Sequence, residues 1–272
     1  MDTRVARITT PELIAVGLFI IFTVWWLYLY FFHDLTLTQH NLYWAALYQT
    51  VAIWGGLFGL ISSRRWGGYR SLMGQAIIFF SVGLLFQSLG QTVFSYYTTL
   101  RGVDLPYPSL ADVGYFGSVI LYILGIWCLA RVAGVGTSLR NLDSKLFTLL
   151  VPFLALIASY GLFLRGYVFD WSAPLRVILD FGYPLGEAIY VSIAALTLVL
   201  SWNLLRGIMR WPLVFVMIAL IAQYIAEFNF LYQALNETWI NGGYGDFLYL
   251  LAYFLMALSL ALIYKTIDAH RT

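Results

Sequence analysis

Eight predominantly apolar segments of about 20 to 30 residues follow one another along this chain. Each is long enough to cross a hydrocarbon core of roughly 30 Å at 1.5 Å per residue. They fall near Leu13–Phe32, Tyr43–Ser62, Leu72–Tyr97, Asp112–Val132, Leu146–Tyr167, Leu175–Leu205, Trp211–Leu235 and Phe247–Tyr264, and they take up most of the 272 residues. Only 10% of the residues are charged, against roughly 25% in an ordinary soluble domain. A water-soluble globule is excluded. The expected fold is all-α: a single integral membrane domain over residues 1–272, with eight transmembrane helices arranged as four hairpins or as two four-helix halves. The stretches outside the spans leave no room for a soluble catalytic, kinase or nucleic-acid-binding domain, so any chemistry lies in the membrane helices and their short loops.

With these spans, Arg4, Arg7, Arg64, Arg65, Arg70, Arg131, Arg140, Lys145, Arg206, Arg210, Lys265 and Arg271 fall on one side, and only Arg101, Arg165 and Arg176 on the other. The positive-inside rule then makes both termini cytoplasmic and turns the loops carrying Asp34, Asp104, Asp170 and Glu237 outward. The setting expected is the cytoplasmic (inner) membrane of a prokaryote. The first span follows a basic start but runs through Trp25, Trp26, Tyr28 and Tyr30 without an Ala-x-Ala cleavage signal, and reads as a retained helix. Cys128 is the single cysteine, which excludes a disulfide or a thiol-redox pair within the chain.

Shifting the chain by half its length superposes Gln87 on Gln223, Gln91 on Glu227, Phe94 on Phe230 and Tyr96 on Tyr232. The third and seventh spans therefore correspond. Each is followed by an outward loop and a short shared pattern, Asp112-Val-Gly-Tyr115 at the fourth span and Asp246-Phe-Leu-Tyr249 at the eighth. Asp180-Phe-Gly-Tyr183 opens the sixth span, and Asn41-Leu-Tyr-Trp44 is a degenerate version at the second. The pattern implies an internal repeat of residues 1–136 and 137–272. With an even number of spans per half, both halves insert in the same orientation about an axis along the membrane normal.

An Asp at the first turn of a helix accepts from free backbone N–H groups and complements the helix dipole, and a Tyr one turn deeper sits in the interfacial belt. The same three carboxylates, Asp112, Asp180 and Asp246, with Tyr115, Tyr183 and Tyr249, could equally ring an outward opening that attracts a cation or amine. Both readings stay open at this level.

Deeper in the spans, Glu187 lies two turns below Asp180 on one face of the sixth, and Glu227 lies in the outer half of the seventh. An ionisable side chain at such depth costs roughly 2.5–3.5 kcal/mol on insertion scales and normally faces a bundle interior or a wet cavity. Gln223 shares a face with Glu227, and Gln87 and Gln91 repeat that spacing on the third span. Convergence of these faces gives a polar cluster that serves either helix packing or a ligand or proton site.

Other features read as structural. His33 and His40 have no accompanying ligand set, so no metal site is expected. The small-residue spacings Gly55 to Gly59 and Gly182 to Gly186 suit close helix packing, and Pro184 is expected to kink or loosen the sixth helix. No phosphate loop, zinc-protease motif or nucleophile with a His base is present, and Lys265 lies at the end of the last span rather than inside it.

The loop Pro106-Tyr-Pro-Ser-Leu-Ala-Asp112-Val-Gly-Tyr115, together with Asp180-Phe-Gly-Tyr-Pro184 and Asp246-Phe-Leu-Tyr-Leu-Leu-Ala-Tyr253, resembles the amino-terminal multi-spanning sensor region of bacterial signalling proteins. In that family a Pro-Phe/Tyr-Pro-Ser-x-Ala-Asp loop precedes one helix, an Asp-x-x-Tyr-Pro element opens a later one, and the region leads into a diguanylate cyclase (GGDEF) or histidine-kinase module. The likeness covers roughly residues 45 to 265. The chain stops at Thr272, where those proteins begin their output domain, so the resemblance implies a module that acts through another protein.

The expectation is a non-enzymatic membrane sensor or ligand-binding module with an outward-facing aromatic and acidic pocket around Glu187, Gln223 and Glu227. Its partners would be the lipid bilayer, a membrane or cytoplasmic partner protein and a small amphipathic or cationic ligand, with no nucleic acid. No cofactor is specified by the sequence. A small proton-coupled transporter and a structural subunit of a larger membrane complex are the alternatives.

Overall fold

The computed structural model describes residues 8–32, 39–134, 169–201 and 209–271, with a few isolated positions between 150 and 161. Among the described residues there are eight α-helices: α1 Thr10–Phe32, α2 Gln39–Leu47, α3 Thr50–Arg65, α4 Leu72–Ser95, α5 Leu110–Val132, α6 Pro174–Ser201, α7 Arg210–Leu235 and α8 Tyr244–Arg271. With α2 and α3 taken as one crossing, seven helices are long and apolar enough to span a membrane. This is the architecture of a multi-pass membrane protein. The expected span Leu146–Tyr167 lies almost entirely outside the described residues.

Six helices close into a ring in chain order. α3 packs on α4, α4 on α5, α5 on α6, α6 on α7, α7 on α8, and α8 returns to α3. α1 lies outside the ring against α8 and α3. Its buried residues Glu12, Ala15, Phe22 and Leu29 recur at intervals of three and seven, which is one narrow stripe of a helix, flanked by the partly buried Leu18, Phe19, Trp25 and Trp26, whereas Leu13, Ile20, Ile21, Val24 and Phe31 are apolar and exposed. Phe19 stacks on Phe254 at 4.1 Å and Trp26 on Phe247 at 4.4 Å, fixing α1 along the length of α8.

Side-chain bonds fix which helix ends share a side. Lys265 Nζ lies 3.2 Å from Glu12 Oε1, and the Trp66 indole donates to the Ile263 carbonyl at 3.3 Å. The start of α1, the end of α3 and the end of α8 therefore share one face of the bundle, and Arg64, Arg65 and Arg70 lie there. At the other face, the Trp26 indole at the end of α1 donates to the Gly242 carbonyl just before α8 at 3.1 Å.

Where the hydropathy suggests one unbroken second span, the structure has a turn at Tyr48 and Gln49. The Ala45 carbonyl beside this break accepts from Gln91 Nε2 at 2.9 Å, and the Gln49 side chain turns back to the Ala46 carbonyl at 2.8 Å. α6 contains Pro184 within its length and continues past it. It also starts earlier than its Asp-x-x-Tyr element: Pro174, with a fixed φ suited to a first turn, begins the helix, which puts Asp180 in the second turn.

Small residues set the closest approaches. A Cβ on Gly55 would lie 2.6 Å from Ala257 Cβ, and one on Gly114 would lie 2.6 Å from the Phe86 carbonyl oxygen and press on the Gly90 backbone nitrogen. Helices meet there almost backbone to backbone.

Candidate functional site

The deep polar side chains converge at the centre of the ring. Gln87 on α4 faces Glu227 on α7, the helix opposite it, and its Nε2 lies 3.3 Å from Glu227 Oε1 and donates to Ser118 Oγ on α5 at 2.7 Å. Glu227 Oε1 also accepts from Gln223 Nε2 at 2.9 Å, one turn away on the same face of α7. Its second oxygen accepts from the Tyr249 hydroxyl of α8 at 2.7 Å. The Tyr253 hydroxyl, one turn further along α8, donates to Gln87 Oε1 at 3.0 Å. All these side chains are buried. Three donors thus occupy three of the roughly four acceptor positions on the two carboxyl oxygens.

Glu187 comes to this cluster from α6 and differs from Glu227. It is 2% exposed, its Oε1 has no hydrogen-bond partner among the described residues, and it lies within electrostatic reach of Glu227. One turn along, the fully buried Tyr190 hydroxyl also has no partner among the described residues. Tyr122 of α5 meets the Tyr190 ring edge-on at 6.0 Å.

The other expected site residues form a second layer. The Tyr115 hydroxyl donates to Gln91 Oε1 at 2.8 Å. Asp112 Oδ2 accepts from the Ser109 backbone N–H at 2.7 Å in a capping box, and its Oδ1 accepts from the Tyr183 hydroxyl at 2.9 Å. Asp246, 1% exposed, accepts from the Gly242 N–H at 2.6 Å and from the Tyr48 hydroxyl at 3.0 Å. For these two the helix-start reading is the one the geometry shows, with a cross-helix tyrosine added to each.

Asp180 behaves otherwise. Within α6 rather than at its start, it accepts from the Tyr107 hydroxyl at 2.8 Å and lies 3.9 Å from Arg176 Nε. Burial, and then the bond to Asp180, hold the Tyr107 hydroxyl well above its ordinary pKa, so it stays a donor through the neutral range. This bond fastens the Pro106–Pro108 loop, which contains a cis Tyr107–Pro108 peptide, onto α6.

Residues that sequence reasoning left out are Ser118, Tyr253, Tyr190, Tyr48 and Tyr107. Tyr253 and Tyr190 each lie one turn from a residue singled out, so a search of the same helix face would have found them. Tyr48 and Tyr107 carry no such signal, because their partners lie far away in sequence.

A cavity of about 250 Å³ is lined by Tyr30, Gln233, Thr238, Ile240, Gly243, Tyr244 and Gly245, between the end of α1 and the segment joining α7 to α8. It does not include Glu187, Gln223 or Glu227. Among the described residues, no group of three or more His, Cys, Asp or Glu could hold a metal ion.

No protein-family model, curated protein or solved structure matches this chain.

Proposed function

We propose that this protein is a non-enzymatic sensor or ligand-binding module of a prokaryotic cytoplasmic membrane, with the Glu187 and Glu227 pair as its binding element and a partner protein as its output. The observation that carries the reading is the difference between the two acids. Glu227 has three donors, whereas Glu187 Oε1 has no partner among the described residues. A network serving packing alone gains nothing from an uncompensated carboxyl, which is costly in a membrane interior. A site that completes itself with a cationic or proton-bearing ligand does gain from one. Tyr122, Tyr190 and Tyr224 nearby suit an aromatic or amphipathic amine.

The arrangement we propose has eight crossings with both termini cytoplasmic. The Asp112 to Tyr183 bond and, deeper in both helices, the Tyr122 to Tyr190 ring contact give α5 and α6 the same direction, which supports the reading of an eighth crossing between them. We read the chain as two halves, residues 1–136 with α1–α5 and residues 137–272 with α6–α8. Two pairs of bonds support this: Tyr115 to Gln91 matches Tyr249 to Glu227, and Tyr183 to Asp112 matches Tyr48 to Asp246. The likeness of the Pro106 to Asp112 loop to sensor regions of signalling proteins points to a cyclase or kinase as the partner. A proton-coupled transporter is the second reading, favoured by the contact of Gln87 with Glu227 across the two halves.

The test is thermal stabilisation of the purified protein in lipid nanodiscs by a panel of aromatic and quaternary amines. At least one amine should stabilise the wild type and lose its effect in Glu187→Gln and Glu227→Gln. Equal responses from wild type and both variants would remove the site.

A further inference from the structure

α6 presents two buried oxygens without a partner among the described residues, Glu187 Oε1 and Tyr190 Oη, one turn apart on one face. That face meets α5 and α7. Among the described residues, the titratable groups that act on it are Tyr122 from α5 and Tyr224 and Glu227 from α7; none of them is a cation. Glu227 has its donors in place, whereas Glu187 Oε1 accepts from no described residue.

The two halves sharpen the contrast. The positions 136 and 135 residues before Glu187 are Val51 and Ala52, both fully buried. The residue matching Glu227 is the neutral Gln91, which makes the same kind of bond to a tyrosine. The packing common to both halves therefore works without either acid, and the second half carries both.

We propose that Glu187 is a proton-exchanging group and that Glu227, held by its three donors, is the fixed neighbour that tunes it. This rests on the reading of the pair as a binding element and names its ligand as the proton. On uptake, a proton from the aqueous phase adds to a Glu187 carboxylate oxygen, forming an O–H bond and neutralising the charge. On release that bond breaks and the proton returns to water. No redox change or further reactant is needed. Uptake gives Glu187, until then an acceptor only, one O–H donor, and the Tyr190 hydroxyl, one turn away, can serve either form.

The test is pH-difference infrared spectroscopy of the full chain in lipid, where the C=O stretch of a protonated carboxyl is separate from carboxylate bands. Across about pH 5 to 10, a carboxyl band of the wild type should titrate. It should vanish in Glu187→Gln and persist in Glu227→Gln with its midpoint moved by about one pH unit or more. Glu187→Asp, which keeps the acid on a shorter stem, should displace the band, and serves where the Gln variant fails to assemble. A band that survives Glu187→Gln and vanishes in Glu227→Gln would overturn the assignment. Carboxylate bands indifferent to pH but responsive to sodium or tetramethylammonium would replace the proton by a cation and leave the binding element standing. Indifference to pH and to both cations, with Gln variants like wild type, would overturn proposal and binding element together.

Discussion

The Tyr249 hydroxyl donates to Glu227 at 2.7 Å across the contact of α7 with α8. At the corresponding contact of α4 with α5, Tyr115 donates to the neutral Gln91 at 2.8 Å. The geometry is shared, and the acceptor is a carboxyl in one and an amide in the other.

That difference gives a ranking. A hydrogen bond to a charged group contributes about 1.5–3 kcal/mol and one between neutral groups about 1 kcal/mol. Tyr249→Phe should therefore destabilise the protein more than Tyr115→Phe, read as unfolding midpoints in the same detergent. The reverse order would mean that Glu227 does not depend on its phenol donor.

Close packing gives a second prediction. Gly114→Ala puts a methyl against the Phe86 carbonyl and the Gly90 backbone, where neither side can yield without separating α4 from α5. Overpacking of this kind costs about 1–3 kcal/mol. Gly17→Ala on α1, where a Cβ meets nothing within 4 Å, should be neutral or slightly stabilising, because alanine is about 0.5–1 kcal/mol better than glycine inside a helix. Equal midpoints for the two variants would contradict the described helix contact.

Orientation is tested by labelling. Tyr69 lies in the turn between α3 and α4 and is 73% exposed, whereas Glu237 lies exposed at the opposite face, after α7. The native thiol, Cys128, is buried and contributes little background. An impermeant thiol reagent outside intact cells should label Glu237→Cys and spare Tyr69→Cys. Labelling in the reverse sense would invert the proposed topology.

The membrane-crossing elements were legible because apolar length alone defines them, and the shared face of Gln223 and Glu227 follows from helical spacing. What a single sequence withholds is which helix each face meets. That Gln87 would lie opposite Glu227 depends on a ring closing between α8 and α3, and that closure rests on contacts far apart in the chain. The break at Tyr48 and Gln49 carries no Pro or Gly to announce it, since the bond from Gln91 to the Ala45 carbonyl is tertiary. The Asp180-Phe-Gly-Tyr183 pattern marks a helix opening by analogy with its copies, but Pro174 already supplies a local start six residues earlier.

The two glutamates should respond in opposite ways to an apolar replacement. Glu227→Leu removes the acceptor for Gln223 and Tyr249 and one contact of Gln87, leaving buried donors unpaired at roughly 1–3 kcal/mol each. It should unfold early or fail to assemble. Glu187→Leu removes a carboxyl whose Oε1 no described residue satisfies and fills the place with a side chain of similar size, so the protein should be as stable as wild type or more so. Glu187→Gln should lie close to wild type in stability as well. Function should divide along the other axis, with the amine response and the titrating infrared band lost in every variant lacking the Glu187 carboxyl, however well it folds. Unfolding midpoints in lipid for Glu187→Leu, Glu187→Gln, Glu227→Leu and Glu227→Gln, each paired with the band measurement, separate the two effects. A strongly destabilised Glu187→Leu would show that this side chain has a structural partner and would return the pair to helix packing.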